Sequence, residues 1–290
     1  MPFEGSGIWN SDGLRIGRRE AIASLLGASV AAGRSKKIQL GLQLFTLRNE
    51  LEKDVPGVLR QVAGLGYQNV EFYVPFYYTW TPAMAKDVRK SLDDLGLKCI
   101  STHNAMDSYL PAGIGKAIEL NQILGSRYLI NARRPQIATL DGWKQLADTF
   151  NKANETIRAA GLSAGYHTTA NEWKQMEAQR PADVLFQNTD KSFAHQLDVG
   201  TCVAAGSDPV AWIKQNPGRI RSLHLKDWAP GKEYTVLFGE GTAPWKAIFA
   251  AAESKGGAEF YVIEQEMSAE APIEAVRKDL ALYRAMRAGR

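Results

Sequence analysis

Between residues 65 and 162, helix-like segments repeatedly end on a glycine that leads straight into an apolar, strand-like run. The junctions are Leu65-Gly66-Tyr67, Leu95-Gly96-Leu97, Leu124-Gly125-Ser126 and Ala160-Gly161-Leu162. Glycine stops a helix because it takes the left-handed conformation cheaply. The alternation runs on to the C-terminus. Strands are predicted over 38–45, 67–73, 97–102, 128–131, 162–167, 193–198, 220–226 and 261–265. Helices are predicted over 55–65, 82–95, 113–124, 140–160, 172–179, 209–215, 245–254 and 273–286. Repeated βα units at a spacing of about 30 residues predict one α/β domain, a closed (β/α)8 barrel with parallel strands. An open doubly wound sheet is the alternative, but no Gly-x-Gly-x-x-Gly turn follows the first strand.

The seventh strand-like run, Ser222-Leu223-His224-Leu225-Lys226-Asp227-Trp228, indicates where the chemistry lies. Side chains alternate faces along a strand, so His224 and Lys226 point one way and Asp227 the other. Burying an imidazole and an ammonium is costly unless something inside needs them. Other strands also end in polar groups: Glu71, His103, His167, Asp198, Glu264 and Glu266. Polar groups gathered at the C-terminal tips of successive strands predict a site at one mouth of the barrel. Imidazoles beside carboxylates suit a divalent ion of the Mn²⁺, Co²⁺ or Zn²⁺ type.

Charge does not suggest nucleic acid as a partner. The 290 residues carry 35 basic against 31 acidic side chains, with no long basic run. Cys99 and Cys202 lie far apart, form no metal or redox motif, and read as plain thiols. Near the N-terminus, Gly17-Arg18-Arg19-Glu20 precedes a short apolar run of small residues from Ser24 to Gly33. This resembles a twin-arginine export signal. The run is about half of what a membrane-spanning helix needs, so no stable membrane anchor is expected after cleavage. Residues 1–36 are therefore read as signal and linker, and 37–290 as the barrel. Localisation is expected to be periplasmic if the signal works and cytoplasmic otherwise; the intact mass of periplasmic material tests this.

The stretches Gly41-Leu42-Gln43-Leu44-Phe45-Thr46-Leu47-Arg48, Val70-Glu71-Phe72, Gly165-Tyr166-His167, Gln196-Leu197-Asp198, His224-Leu225-Lys226-Asp227 and Val262-Ile263-Glu264-Gln265 occur in a telling order. Together they resemble the sugar phosphate isomerase/epimerase family, the xylose-isomerase-like TIM barrels, in a twin-arginine-exported branch. The resemblance implies a single-domain (β/α)8 TIM barrel. It also implies one divalent metal (Mn²⁺, Zn²⁺, Co²⁺ or Mg²⁺) held by His167, Asp198, His224 and Glu264. In the ketose epimerases of that family the strand-five ligand is a glutamate that doubles as a base. Here it is His167, a different base in a different geometry. Related chains carry Tyr-His-Asn-His at this point, whereas this one has Tyr166-His167-Thr168-Thr169 and keeps a glutamate at Glu172.

A metal on the carbonyl and neighbouring hydroxyl of a sugar acidifies the α C–H and stabilises an enediolate. Glu264 or Glu172 is expected to take the proton, and Lys226 or His103 to steady the oxyanion or return a proton. Glu71, Phe72, Trp228 and Glu266 are expected to contact substrate. The expected reaction is isomerisation or epimerisation of a non-phosphorylated sugar, keto-sugar or polyol, or dehydration or glycoside lysis through the same enediolate. A non-catalytic sugar-binding barrel and an endonuclease IV-like nuclease are the other readings. The nuclease would need several zinc ions and a basic face. Two loop features are also notable. Gly239-Glu240-Gly241-Thr242 lies where some barrels bind phosphate, but is expected to be an ordinary loop. The aromatic cluster from Phe72 to Trp80 either stacks on a sugar or packs the loop against the barrel or a partner subunit. The resemblance allows a homo-oligomer, as is common in the family, but the sequence does not fix the oligomeric state.

Overall fold

The computed structural model describes residues 38–289. The expected export signal over residues 1–36 lies outside them. Eight parallel strands form a closed barrel in sequential order: β1 (Gln39–Gln43), β2 (Asn69–Phe72), β3 (Lys98–Ala105), β4 (Tyr128–Arg133), β5 (Ser163–His167), β6 (Ala194–Asp198), β7 (Ile220–Leu225) and β8 (Phe260–Ile263). Closure is made by β1 pairing with β8. The principal helices outside the ring are α1 (Val55–Leu65), α2 (Pro82–Asp94), α3 (Ile114–Leu124), α4 (Leu140–Ala159), α5 (Pro181–Asn188), α6 (Pro209–Gln215), α7 (Trp245–Ala251) and α8 (Pro272–Ala288). No helix among the described residues is long and apolar enough to cross a membrane.

Local chemistry sets the helix ends. The Asp54 carboxylate accepts the Gly57 N–H at the start of α1, and Thr139 caps α4 in the same way through Gly142. Helix α1 stops at Gly66, whose φ of 93° a residue with a side chain rarely adopts. Along α4, Trp143, Leu146, Ala147, Phe150, Ala153 and Ile157 are buried at helical spacing, giving the helix one apolar face against the sheet. The main core lies between strands and helices, and includes Phe150, Phe186, Trp212 and Phe249.

One expected element is corrected. Residues 172–179 are not a helix: a single turn, Ala170–Trp173, is followed by irregular chain. The helix of the fifth unit begins at Pro181, which suits the first helical position because its missing N–H is not needed there. Strand β3 also runs to Ala105, three residues further than expected, so His103 lies within a strand.

Candidate active site

Alternation along the strands stacks the inward side chains in tiers. At the N-terminal end of the barrel, Ile100, Tyr128, Ile130, Ala194, Phe260 and Val262 form an apolar cluster separate from the main core. Gly165 of β5 makes room there, since a Cβ would come within 2.6 Å of Ile130 Cδ1 and 2.8 Å of the Ala194 carbonyl. Above this floor lie buried Gln43, Glu71, Ser101, Gln196 and Ser222. His103, His167, Asp198, His224 and Glu264 come next, with Lys226 and Glu266 beyond them toward the mouth.

Glu71 organises the middle tier. Its Oε1 accepts from Gln43 Nε2 at 2.8 Å and lies 2.7 Å from His224 Nε2 and 3.0 Å from His103 Nε2. Its Oε2 accepts from Gln196 Nε2 at 2.8 Å and from Ser101 Oγ. Burial opposes ionisation of Glu71, but the His103 and His224 imidazoles outweigh it and hold the carboxyl well below the usual carboxylate range. Gln196 turns its Oε1 toward His103 Nε2 (2.7 Å) and His167 Nδ1 (3.1 Å). The amide oxygen only accepts, so both imidazoles donate to it. Gln43 Nε2, a donor, takes His103 Nδ1 at 3.2 Å. Both His103 nitrogens are therefore engaged, whereas His167 keeps a lone pair on Nε2.

Four groups converge above this network. His167, Asp198, His224 and Glu264 each offer one ligand atom, and these atoms lie within 4.8 Å of one another. Burial, reinforced by the His224 and His103 imidazoles, pushes the His167 pKa well down and keeps it in the neutral form that binds metal. Asp198 Oδ1 accepts the Thr201 N–H at 2.9 Å, and its buried Oδ2 is paired with the Lys226 ammonium at 2.6 Å. His224 lies between two carboxylates, Nε2 to Glu71 and Nδ1 to Glu264 Oε2 at 2.9 Å. Burial disfavours its charge, yet Glu71 and Glu264 raise its pKa to about 10. His224 would serve as an imidazole ligand to a divalent ion while Glu71 fixes its ring, a carboxylate behind a histidine being the arrangement that orients such a ligand. Two imidazole nitrogens and two carboxylates fit such an ion.

Lys226 and Glu266 stand at the mouth as expected, 2.8 Å apart. Burial and the nearby Glu264 raise the Glu266 pKa, against the pull of Lys226. A cavity of about 340 Å³ opens over the four converging groups, lined among others by Phe45, Tyr73, His103, Arg133, His167 and Glu264. Phe45 and Tyr73 meet edge to face at 5.4 Å and supply an aromatic wall.

Other expected site residues lie elsewhere. Glu172 is fully buried outside the converging group. Its Oε1 accepts from Tyr166 Oη and Arg134 Nη2, both at 2.6 Å, and its Oε2 from the Thr169 N–H and hydroxyl. A carboxylate so engaged holds the β5 loop and does not reach the cavity as a base. Phe72 follows inward-facing Glu71, so it points outward and packs on Trp80 at 5.1 Å. Glu71 itself lies below the ligands and supports His224, away from any substrate. Trp228 sits on the loop after β7, donating from Nε1 to Glu233 at 2.7 Å. In the aromatic cluster Tyr73 faces the mouth, while Trp80 is buried in the core.

The glycine loop after β7 wraps a carboxylate. Asp227 accepts from the N–H groups of Trp228, Gly239, Gly241 and Ala243 and from Trp245 Nε1. The donors a phosphate would use are occupied. Reading the sequence did not single out the roles of Gln43, Ser101, Gln196 and Ser222. Stepping back two residues from His103, Asp198 and His224 reaches Ser101, Gln196 and Ser222, which is the signal that finds them.

A closed ring of eight parallel strands with its polar groups at the C-terminal mouth is the layout of TIM-barrel enzymes. The chain belongs to the xylose isomerase-like TIM barrel family, which it matches over residues 59–286. A sugar phosphate isomerase/epimerase from Parabacteroides distasonis ATCC 8503 is similar at TM-score 0.72 and 26% identity, covering 88% of this chain and 95% of that one. An inosose dehydratase from Clostridium beijerinckii is 34% identical over 86 residues. That match takes in 29% of this chain and spans only 28% of the relative. In fold alone the chain is also similar to the IolI protein with a binding zinc atom, at TM-score 0.62 and 16% identity over 84% of this chain and 97% of that one.

Proposed function

We propose that the protein is a divalent-metal-dependent enzyme that removes the proton α to the carbonyl of a non-phosphorylated sugar, keto-sugar or polyol. The observation that carries this reading is the convergence of His167, Asp198, His224 and Glu264, two imidazoles and two carboxylates whose ligand atoms lie within 4.8 Å of one another. A divalent ion held there, such as Mn²⁺, Zn²⁺, Co²⁺ or Mg²⁺, supplies Lewis acidity toward a substrate carbonyl and its neighbouring hydroxyl. The zinc in the IolI protein supports the same assignment.

The chain's own residues define the rest. Glu71 holds His224 and Gln196 holds His167, so neither imidazole has to reorient when substrate arrives. Phe45 and Tyr73 give an apolar wall for the face of a sugar ring. Glu266, beside Lys226 and with a raised pKa, is placed to accept the α proton, and Lys226 is placed to donate to a developing oxyanion.

The acids lining the cavity, Glu264 and Glu266, come from β8 and the loop after it. Among the described residues the wall that includes His103 and His167 has no second carboxylate, so symmetric two-base epimerisation lacks one of its bases there. A single base removing one proton suits aldose–ketose isomerisation or loss of a β-substituent. The inosose dehydratase relatives favour the elimination. The loop donors occupied by Asp227 support a substrate without phosphate.

Elemental analysis of wild type beside Asp198→Ala and His224→Ala tests the site. About one divalent metal per chain, lost in both variants, is expected. Keto-sugars and keto-polyols incubated in D₂O with the loaded enzyme are expected to exchange one α hydrogen, with water release marking the dehydratase outcome. A wild-type chain that retains no metal after reconstitution would falsify this reading.

A further inference from the structure

Lys226 lies among more carboxylates than one ammonium needs. Its Nζ is 2.6 Å from Asp198 Oδ2, 2.8 Å from Glu266 Oε1 and 3.6 Å from Glu264 Oε2. The Tyr234 ring lies 5.3 Å away, and the residue is only 5% exposed. Two of these partners, Asp198 and Glu264, belong to the four groups assigned to the metal. Glu266 does not, and about a third of its side chain is open to solvent at the mouth. An ammonium and a dication a few ångströms apart repel strongly in a buried site. They cannot both be held by Asp198 and Glu264 at these distances.

We propose that Lys226 is the exchangeable resident cation of this site. Before loading, its ammonium neutralises Asp198 and Glu264; on loading, it withdraws onto Glu266 and the Tyr234 ring at the mouth. The inference rests on the metal reading above and adds the residue that sets the metal's affinity.

The geometry makes the exchange short. Nζ already touches Glu266, so turning the end of the side chain is enough to leave Asp198. The base of the side chain stays in place against Gly200, where a Cβ would come within 2.9 Å of the Lys226 carbonyl and 3.1 Å of its Cγ. The exchange has a consequence for the pocket. Withdrawal moves the ammonium from Asp198 toward Glu266, which lines the cavity, so the loaded site presents a positive donor to substrate there.

The test is a double-mutant cycle on the full chain, stripped with chelator and titrated with Mn²⁺ and with Zn²⁺ by calorimetry. Lys226→Gln is expected to bind metal ten- to a hundredfold more tightly than wild type, and its metal-free form to melt at lower temperature. Glu266→Gln, which removes the docking place, is expected to bind metal about tenfold more weakly. In the Lys226→Gln background the Glu266→Gln effect is expected to disappear, because no ammonium needs to be docked. Unchanged or weaker binding by Lys226→Gln overturns the proposal while leaving the metal site standing. So does a Glu266→Gln penalty of equal size in both backgrounds, since that is plain loss of a nearby charge. Should Lys226→Gln fold only with metal present, its chelator-competition constant measured from the loaded form gives the same comparison. A wild-type chain that takes up no metal removes the metal reading itself, and the exchange with it.

Discussion

Asp198 and Asp227 stand at the tops of neighbouring strands β6 and β7, both buried, and the structure treats them in opposite ways. Asp227 faces outward and receives five N–H donors from the loop that follows it. Asp198 faces inward; one oxygen accepts a single N–H and the other is paired with the Lys226 ammonium. The first is a structural carboxylate, with its charge spread over neutral donors fixed in the backbone. The second is balanced by a side-chain ammonium instead of fixed backbone donors, a partner that a bound cation can replace. Asp279 is a third case. It is buried with one donor, the Phe238 N–H at 2.8 Å, and burial, against that bond, lifts its pKa to about 7.

Substitutions should rank these carboxylates. Asp227→Ala takes the acceptor from five donors, Trp245 Nε1 buried and the other four partly so, and a loss of about 3 kcal/mol is expected in chemical denaturation. Gly241 cannot adapt to refill the space around an intact Asp227, because a Cβ there would come within 2.1 Å of Asp227 Oδ1.

Asp279→Asn is expected to act in the other direction and only at higher pH. Folding raises this pKa from 3.8 to about 7, so the folded state keeps a proton that the unfolded chain releases. Stability contributed by this group is therefore present below about pH 4 and is lost as pH rises toward 7. The variant, still able to accept the Phe238 N–H, should gain about 2–4 kcal/mol over wild type at pH 8 and little at pH 4. Equal effects at both pH values would sink the assignment.

Asp198→Asn should cost the metal-free protein least, about 1 kcal/mol or less, because an amide oxygen keeps the Thr201 cap and Lys226 keeps its other acids. The same variant should lose metal affinity at least a hundredfold by chelator competition. A large stability loss without a metal effect would place Asp198 with Asp227.

The contrast explains what was legible in the chain. The glycine-punctuated βα repeat marks the barrel because strand and helix periods are local properties. Asp198, His167, His224 and Glu264 stand out because charged or imidazole groups are conspicuous at the ends of apolar strands. Gln43, Gln196, Ser101 and Ser222 do not. They are neutral, and their partners come from strands up to 125 residues away, as with Gln196 and Glu71. Glu172 looked like a base because a glutamate near a strand tip carries no mark of its partners. Arg134 and Tyr166, which occupy it, lie 38 and 6 residues off. Phe72 was misplaced by its neighbour: one step along a strand changes the face.

The ring also divides by position in the chain. The four metal-assigned residues come from β5 through β8 and its end, whereas Phe45, Tyr73, Ala132 and Arg133 of the cavity wall come from the β1–β4 half. Apart from Gln43 and Glu71, which brace the ligands from β1 and β2, the direct ligands and the aromatic wall are thus encoded in separate stretches of sequence. Changes in the first half can refit the wall to a new substrate while the second half keeps its ligands, so this barrel can diversify without first losing its reaction.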